Sequence, residues 1–241
     1  MNTENQKTPE EIEELKKQHI RSFAMRRGHI SNAQERGLEV VFPKFEIKYD
    51  PDQKINPSEI FGNQNPVVLE IGCGMGETTA AIAENAKNVN FIGCEVYPAG
   101  VGSLANRLDQ ADLTNVRIIK HDAVDVIKNM LPDSSLDGIH IFFPDPWRKA
   151  RHHKRRLISS AFLELIVPKM KKGAYFHCAT DWENYAEQMQ EVLSSNESLE
   201  NYYSGKEAQP KNPLVDRPTT KFNERGNRLG HGCWDFVYIK K

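Results

Sequence analysis

Between Phe142 and Arg156 the chain reads FFPDPWRKARHHKRR, one carboxylate and one indole set among prolines and followed at once by cations. Pro144 and Pro146 make the turn around Asp145 rigid, since each fixes its own φ and restricts the residue before it. From Arg148 to Arg156 there are six Lys or Arg, two His and no acid. Asp145 offers a hydrogen-bond acceptor, Trp147 a flat face, and the cations a place for phosphates. These residue types suit a site that holds a base of a nucleic acid at a reaction centre. Trp147 fits either a stacking role on that base or a place in the core.

A second set lies upstream. The apolar run Val67–Ile71 leads into Gly72-Cys73-Gly74-Met75-Gly76, and the next apolar run, NFIGCE, closes on Glu95 nineteen residues after Gly76. Glycines between a strand and a helix let a ligand approach the backbone, and an acid at the following strand end can hold ribose hydroxyls. A lone glycine motif is weak, but Glu70, Glu95 and Asp122 form a succession of strand-end acids. A nicotinamide cofactor would want GxGxxG and a cradle for pyrophosphate, and an acidic first loop is a poor one. The same loop suits the ammonium and sulfonium of S-adenosylmethionine, so the sign of the charge favours that cofactor.

The elements needed to position these groups follow from the alternation of short apolar runs with helical patterns. Strands are expected at 67–71, 90–95, 116–120, 137–143, 174–180 and 234–239. Helices are expected at 77–87, 98–110, 124–130, 156–170 and 182–194. That order predicts an α/β fold with a parallel sheet and right-handed crossovers. Residues 61–241 form the expected catalytic domain, and 1–60 an N-terminal arm with an irregular lead-in, disordered at its start. Thr8-Pro9-Glu10-Glu11 has the form of a helix start, and the helix is expected to reach Arg27 and stop at Gly28. Its acids come first and its cations last, which suits the helix dipole; a basic arm along RNA fits equally. Residues 195–232 are polar and turn-rich and predict a long functional loop.

Composition bounds the partners. Lys plus Arg number 32 against 33 Asp plus Glu in 241 residues, so nucleic-acid binding must rest on local patches. No apolar run approaches the length of a membrane helix, and the start has no secretory pattern. Cys73, Cys94, Cys178 and Cys233 show no paired spacing, which argues against a disulfide framework or a metal site and for a cytoplasmic protein. His152 and His153, beside four cations, are expected to face phosphate rather than a metal. A monomer is favoured over a homodimer.

With these motifs in place the chain resembles the bacterial tRNA (guanine-N(7)-)-methyltransferases, on the Rossmann-like class I methyltransferase fold. The resemblance rests on Arg21-Ser22-Phe23, LEIGCGMG at 69–76, GCEV at 93–96, HDA at 121–123, FPDPWRKARHHKRR at 143–156, Thr180-Asp181 and RPTTKFNERG at 217–226. It implies a mostly parallel seven-stranded sheet with a reversed last strand and an N-terminal helical arm. It implies S-adenosylmethionine bound by Glu70, Gly72, Gly74, Gly76, Glu95, Asp122, Ala123 and Asp145, with Asp145 in the catalytic position. It implies substrate contacts from Lys149, Asp181, Thr220, Lys221, Phe222 and Asn223. The family's Thr-Lys-Phe-Glu stands here as Thr-Lys-Phe-Asn, so either Asn223 or Glu224 takes the acidic role. Arg151, His152, His153, Lys154, Arg155 and Arg156 are the expected tRNA contacts. At the start of a helix such cations would oppose the dipole, a cost that a phosphate ligand would reverse.

The expected product is N7-methylguanosine, with the variable-loop guanine at position 46 as the target. Guanine N7 has an in-plane lone pair and no proton, so no general base is required; an acid would orient the base and stabilise migrating charge. An Arg fork on N7 and O6 would block the nucleophile, so guanine should be identified from its Watson–Crick edge, by Asp145 and Asp181. Two alternatives compete. Exocyclic-amine methylation of RNA or DNA uses an Asn/Asp-Pro-Pro-aromatic turn, whereas this chain has a single Pro between Asp145 and Trp147. A non-catalytic RNA-binding module would not need the acid series.

Overall fold

A computed structural model of the chain describes residues 21–24, 28–206, 212–218 and 232–241. Seven strands form one sheet: β1 Val67–Ile71, β2 Asn90–Cys94, β3 Val116–Ile119, β4 Leu136–Phe142, β5 Met170–Thr180, β6 Leu199–Lys206 and β7 Trp234–Lys240. Their order is β3-β2-β1-β4-β5-β7-β6. β7 runs antiparallel to both of its neighbours, β5 and β6, while the other pairs are parallel. The class I methyltransferase sheet with one reversed strand is therefore present.

Burial explains the parallel centre. Every residue of β1 and β2 is buried, as expected of strands covered on both faces. The covering helix Pro98–Gln110 has Pro at its first turn and buries Val101, Leu104, Ala105 and Leu108 on one stripe. Chain order reverses direction between β1 and β4. That places a crevice beyond their carboxyl ends, where open α/β sheets bind ligands.

Four stretches differ from the sequence-based expectation. The lead-in 29–66 is not irregular throughout: it forms a capped helix Asn32–Arg36, a π turn Gly37–Val41 and a helix Pro57–Phe61. Between them, the amide of Ile118 donates to the carbonyl of Phe45 and the amide of Ile47 to the carbonyl of Ile118, so the lead-in covers the β3 edge. Turns of five residues are too short to show helical periodicity. The basic run does not open an α-helix; Ala150–Arg155 is a 3₁₀ turn, and the α-helix begins only at Ser160, capped by Ser159. The cations therefore do not oppose that helix's dipole. β6 lies within the stretch expected to be a loop, because an exposed edge strand reading LENYYSGK carries turn residues and little apolar alternation. Residues 21–24 are not helical; the rest of the expected 8–27 helix lies outside the described residues.

Candidate active site

A cavity of about 360 Å³ opens at the carboxyl ends of β1, β2 and β4. Gly72, Gly74, Glu95, Asp122, Ala123 and Asp145 line it, together with Ser22, Phe23, Met75, His121, Phe142 and Phe143. Three carboxylates and no Lys or Arg stand among these lining residues. A cation is thus favoured there and a pyrophosphate is not.

Each acid is held by backbone. Glu95 spans two loops: its Oε2 accepts from the Gly74 amide at 2.7 Å, and its Oε1 from Val96 and Tyr97 at 2.8 Å each. With two acceptor sites per carboxylate oxygen, Oε1 is filled and Oε2 keeps one for a ligand. Burial raises the Glu95 pKa, and these amide bonds work against that rise. Asp122 caps the helix Ala123–Asn129 by accepting from the Val124 amide at 3.0 Å through Oδ1, which leaves Oδ2 for the cavity. His121, on the wall, stacks on Tyr49 of the lead-in at 3.6 Å between ring centroids.

Two expected cofactor contacts sit elsewhere. Glu70 is only 3% exposed and is not on the cavity wall. Its Oε1 accepts from the Thr79 hydroxyl at 2.9 Å, and its Oε2 is buried without a partner. Burial pushes its pKa up to about 7, the Thr79 bond lowering it and Glu95 adding to the rise. Gly76 faces away as well: a Cβ there would meet Leu104 at 2.6 Å, so this glycine serves helix packing. Gly72 and Gly74 have φ of +80 and +55, and a Cβ on either would meet nothing within 4 Å. Of the three motif glycines, Gly72 and Gly74 stand on the cavity wall and Gly76 stands off it.

The opposite wall is the turn after β4. Phe143 and Trp147 both adopt positive φ, +53 and +43, on either side of Asp145. For bulky residues that conformation is strained and persists only when the surroundings enforce it. The Trp147 indole donates to the carbonyl of Ser22 at 2.8 Å, and the Arg155 guanidinium covers its ring at 3.8 Å. Trp147 is thereby used to dock the arm segment. Asp181 follows β5, the neighbour of β4, and is half-buried off the cavity wall; Lys149 is exposed.

The basic run divides. Arg155 donates to the carbonyls of Arg21 and Phe23, both at 3.1 Å. Arg156 is 4% exposed and donates to the Pro146 carbonyl at 2.9 Å, Gln188 at 2.7 Å and the Asn184 side chain at 2.9 Å. Arg156 is thus turned inward onto protein groups, and Arg155 ties residues 21–23 beside the cavity. Arg151 and Lys154 remain exposed, while His152 and His153 are partly covered. Desolvation and the cations around it lower the His152 pKa. Thr220, Lys221, Phe222 and Asn223 lie outside the described residues.

A buried polar cluster behind the β4 wall was missed from sequence. Arg217 forks onto Asp235, Nε to Oδ1 at 3.0 Å and Nη2 to Oδ2 at 2.6 Å, and His177 Nε2 meets Oδ1 at 3.0 Å. An acid inside the apolar strand WDFVYI was the available signal. Among the described residues no group of His, Cys, Asp and Glu could hold a metal, and no helix is long and apolar enough to cross a membrane.

Comparison with known proteins gives concordant results. A family profile described as "Putative methyltransferase" matches residues 64–236. A protein of Dechloromonas aromatica, named tRNA (guanine-N(7)-)-methyltransferase, is 51% identical over 92% of this chain and 89% of its own. One of Paraburkholderia xenovorans with the same name is 50% identical over 97% and 88%. Among solved structures, the 16S rRNA methyltransferase KamB shares the fold at a TM-score of 0.55, with 13% identity over 76% of this chain and 92% of its own. TrmN from Thermus thermophilus aligns at 0.52, with 13% identity over 77% and 47%.

Proposed function

The chain belongs to the tRNA (guanine-N(7)-)-methyltransferase family, and we propose that it transfers a methyl group from S-adenosylmethionine to N7 of a guanine in tRNA. The observation that carries this is the cavity at the β1/β4 crevice, walled by Glu95, Asp122 and Asp145 with no Lys or Arg among the described residues of its lining. That wall accepts a sulfonium and an ammonium, and the open space over Gly72 and Gly74 admits a ligand against the backbone. S-adenosylmethionine supplies an electrophilic methyl group when bound there. Glu95 Oε2 keeps an acceptor for a ribose hydroxyl, and Asp122 Oδ2 and the Ala123 amide complete that edge.

Asp145 stands between the cofactor cavity and the side where the base enters. It orients guanine and stabilises the positive charge that builds on the purine as N7 is alkylated; it abstracts no proton. Asp145 and Asp181 are the acceptors for N1–H and the 2-amino group, and Lys149 is the partner for O6 or a phosphate. Thr220, Lys221, Phe222 and Asn223 complete the substrate contacts, and Arg151, His152, His153 and Lys154 face the tRNA backbone. The finer reading places the target at guanine 46 of the variable loop, on the motif set shared with the family.

The test is mass-spectrometric mapping of tRNA after incubation with isotope-labelled S-adenosylmethionine. N7-methylguanosine in the variable loop is the expected product. Label in N6-methyladenosine would overturn the reading in favour of exocyclic-amine methylation.

A further inference from the structure

Phe142 and Phe143 form the cavity wall that leads into Pro144 and Asp145. What stands behind them is charged. The Arg217 guanidinium lies 5.5 Å from the Phe142 ring centroid and 5.7 Å from that of Phe143. Its other side forks onto Asp235, and both residues are buried, at 4% and 0% exposure. His177 of β5 bonds Asp235 through Nε2, and Asn212 reaches its Nδ1 at 3.3 Å. Those two bonds fit one neutral tautomer, with the proton on Nε2 donated to Asp235 and Nδ1 accepting from the Asn212 amide. Phe142 is also packed by His177, at 5.0 Å and nearly edge-on, and by His140 at 4.9 Å.

Stability alone does not call for this arrangement. A buried ion pair is often replaceable by apolar groups at no loss of stability, because desolvation offsets much of its attraction. What a fork and a bidentate carboxylate supply is fixed geometry. Geometry is needed here, because Phe143 holds a φ of +53 that its own backbone disfavours, two residues before Asp145.

We propose that Arg217 is a positioning residue: clamped by Asp235 and His177, it holds Phe142 and Phe143 in place and so sets where Asp145 meets the reacting base. This rests on the methyl-transfer function proposed above. Arg217 is not among the residues that line the cavity, so it acts through the turn it backs.

The experiment compares wild type with Arg217→Lys, which keeps the charge and loses the fork, and with the double variant Arg217→Met, Asp235→Asn, which removes both charges together. Steady-state kinetics are measured on whichever methylated nucleoside the wild-type protein forms, beside thermal melting and cofactor binding. The expected result is a kcat lowered about tenfold or more in both variants. KM for tRNA and cofactor affinity should stay within about threefold, with Arg217→Lys less impaired than the double variant. A kcat within about threefold of wild type in folded Arg217→Lys overturns the proposal, and so does a loss carried wholly by KM. If the double variant fails to fold, Arg217→Lys decides alone. A wild-type product other than N7-methylguanosine would count against the proposed function, while an unchanged kcat counts against Arg217.

Discussion

The strand ends of β1 to β3 and the turn after β4 face one another across a single cavity, yet they use charge in opposite ways. On the first side each acid is isolated at the end of its own strand, and amide donors of adjacent loops steady it. Glu95 takes three such donors and Asp122 one, and each keeps an acceptor for a ligand. On the other side the cations come in one dense run, and the chain's own groups consume several of them. Arg155 and Arg156 bond to carbonyls of residues 21, 23 and 146, and Arg148 lies 4.5 Å over the Trp182 ring. A carbonyl is a fair substitute for a phosphate oxygen. A basic run in sequence therefore counts cations without showing which of them face outward.

The sharpest way to break the comparison is Asp145→Ala, which removes the only carboxylate that the turn adds to the cavity. The expected loss in kcat is on the order of 10²–10³-fold, as for removal of a group that stabilises developing charge. Binding of tRNA, measured by filter retention, should persist because the outward cations are untouched. Equal loss of binding and turnover would contradict the division between the two sides.

Glu70 tests the acid side. Its pKa lies near 7 in the folded chain against 4.5 for an exposed glutamate, because burial favours the neutral acid. Between those two values the folded chain keeps a proton that the unfolded chain has released, so stability falls as pH rises through the window. Glu70→Gln removes that dependence. Its stability relative to wild type should rise by up to ~3 kcal/mol between pH 4.5 and 7 and then level off. Urea unfolding at both ends of the window reads this directly; a flat difference would put Glu70 back in contact with solvent or ligand.

Much of the first side was legible in the sequence. Apolar runs buried on both faces of a parallel sheet declare themselves, and strand-end acids follow them at fixed offsets. The helix Pro98–Gln110 falls on its expected residues because its first-turn proline, period and length agree. What escaped was set by tertiary contact. Nothing local distinguishes Glu70, turned under the glycine loop toward Thr79, from Glu95, which reaches the cavity. Nothing local pairs Arg217 with Asp235 or shows that Trp147 holds the arm. β6 escaped because an edge strand needs apolar residues on one face only, and Ser204 and Gly205 read as a turn.

The finest cut runs inside the basic segment itself. Arg156→Ala leaves the Pro146 carbonyl and the Asn184 and Gln188 side chains without their donor, which should cost about 2–3 kcal/mol of stability while the salt dependence of tRNA binding keeps its slope. Lys149→Ala with Lys154→Ala should do the reverse. Both side chains are exposed, so unfolding should shift by no more than about 0.5 kcal/mol. Affinity for tRNA should fall on the order of tenfold at low salt, and the slope of log K against log salt should flatten by about 1–2. Salt titrations of binding on the two variants, beside urea unfolding, separate them. Were Arg156→Ala to flatten the slope at unchanged stability, the inward half of the run would have to be returned to the RNA face, and the contrast between the two sides of the cavity would fail at its most specific point.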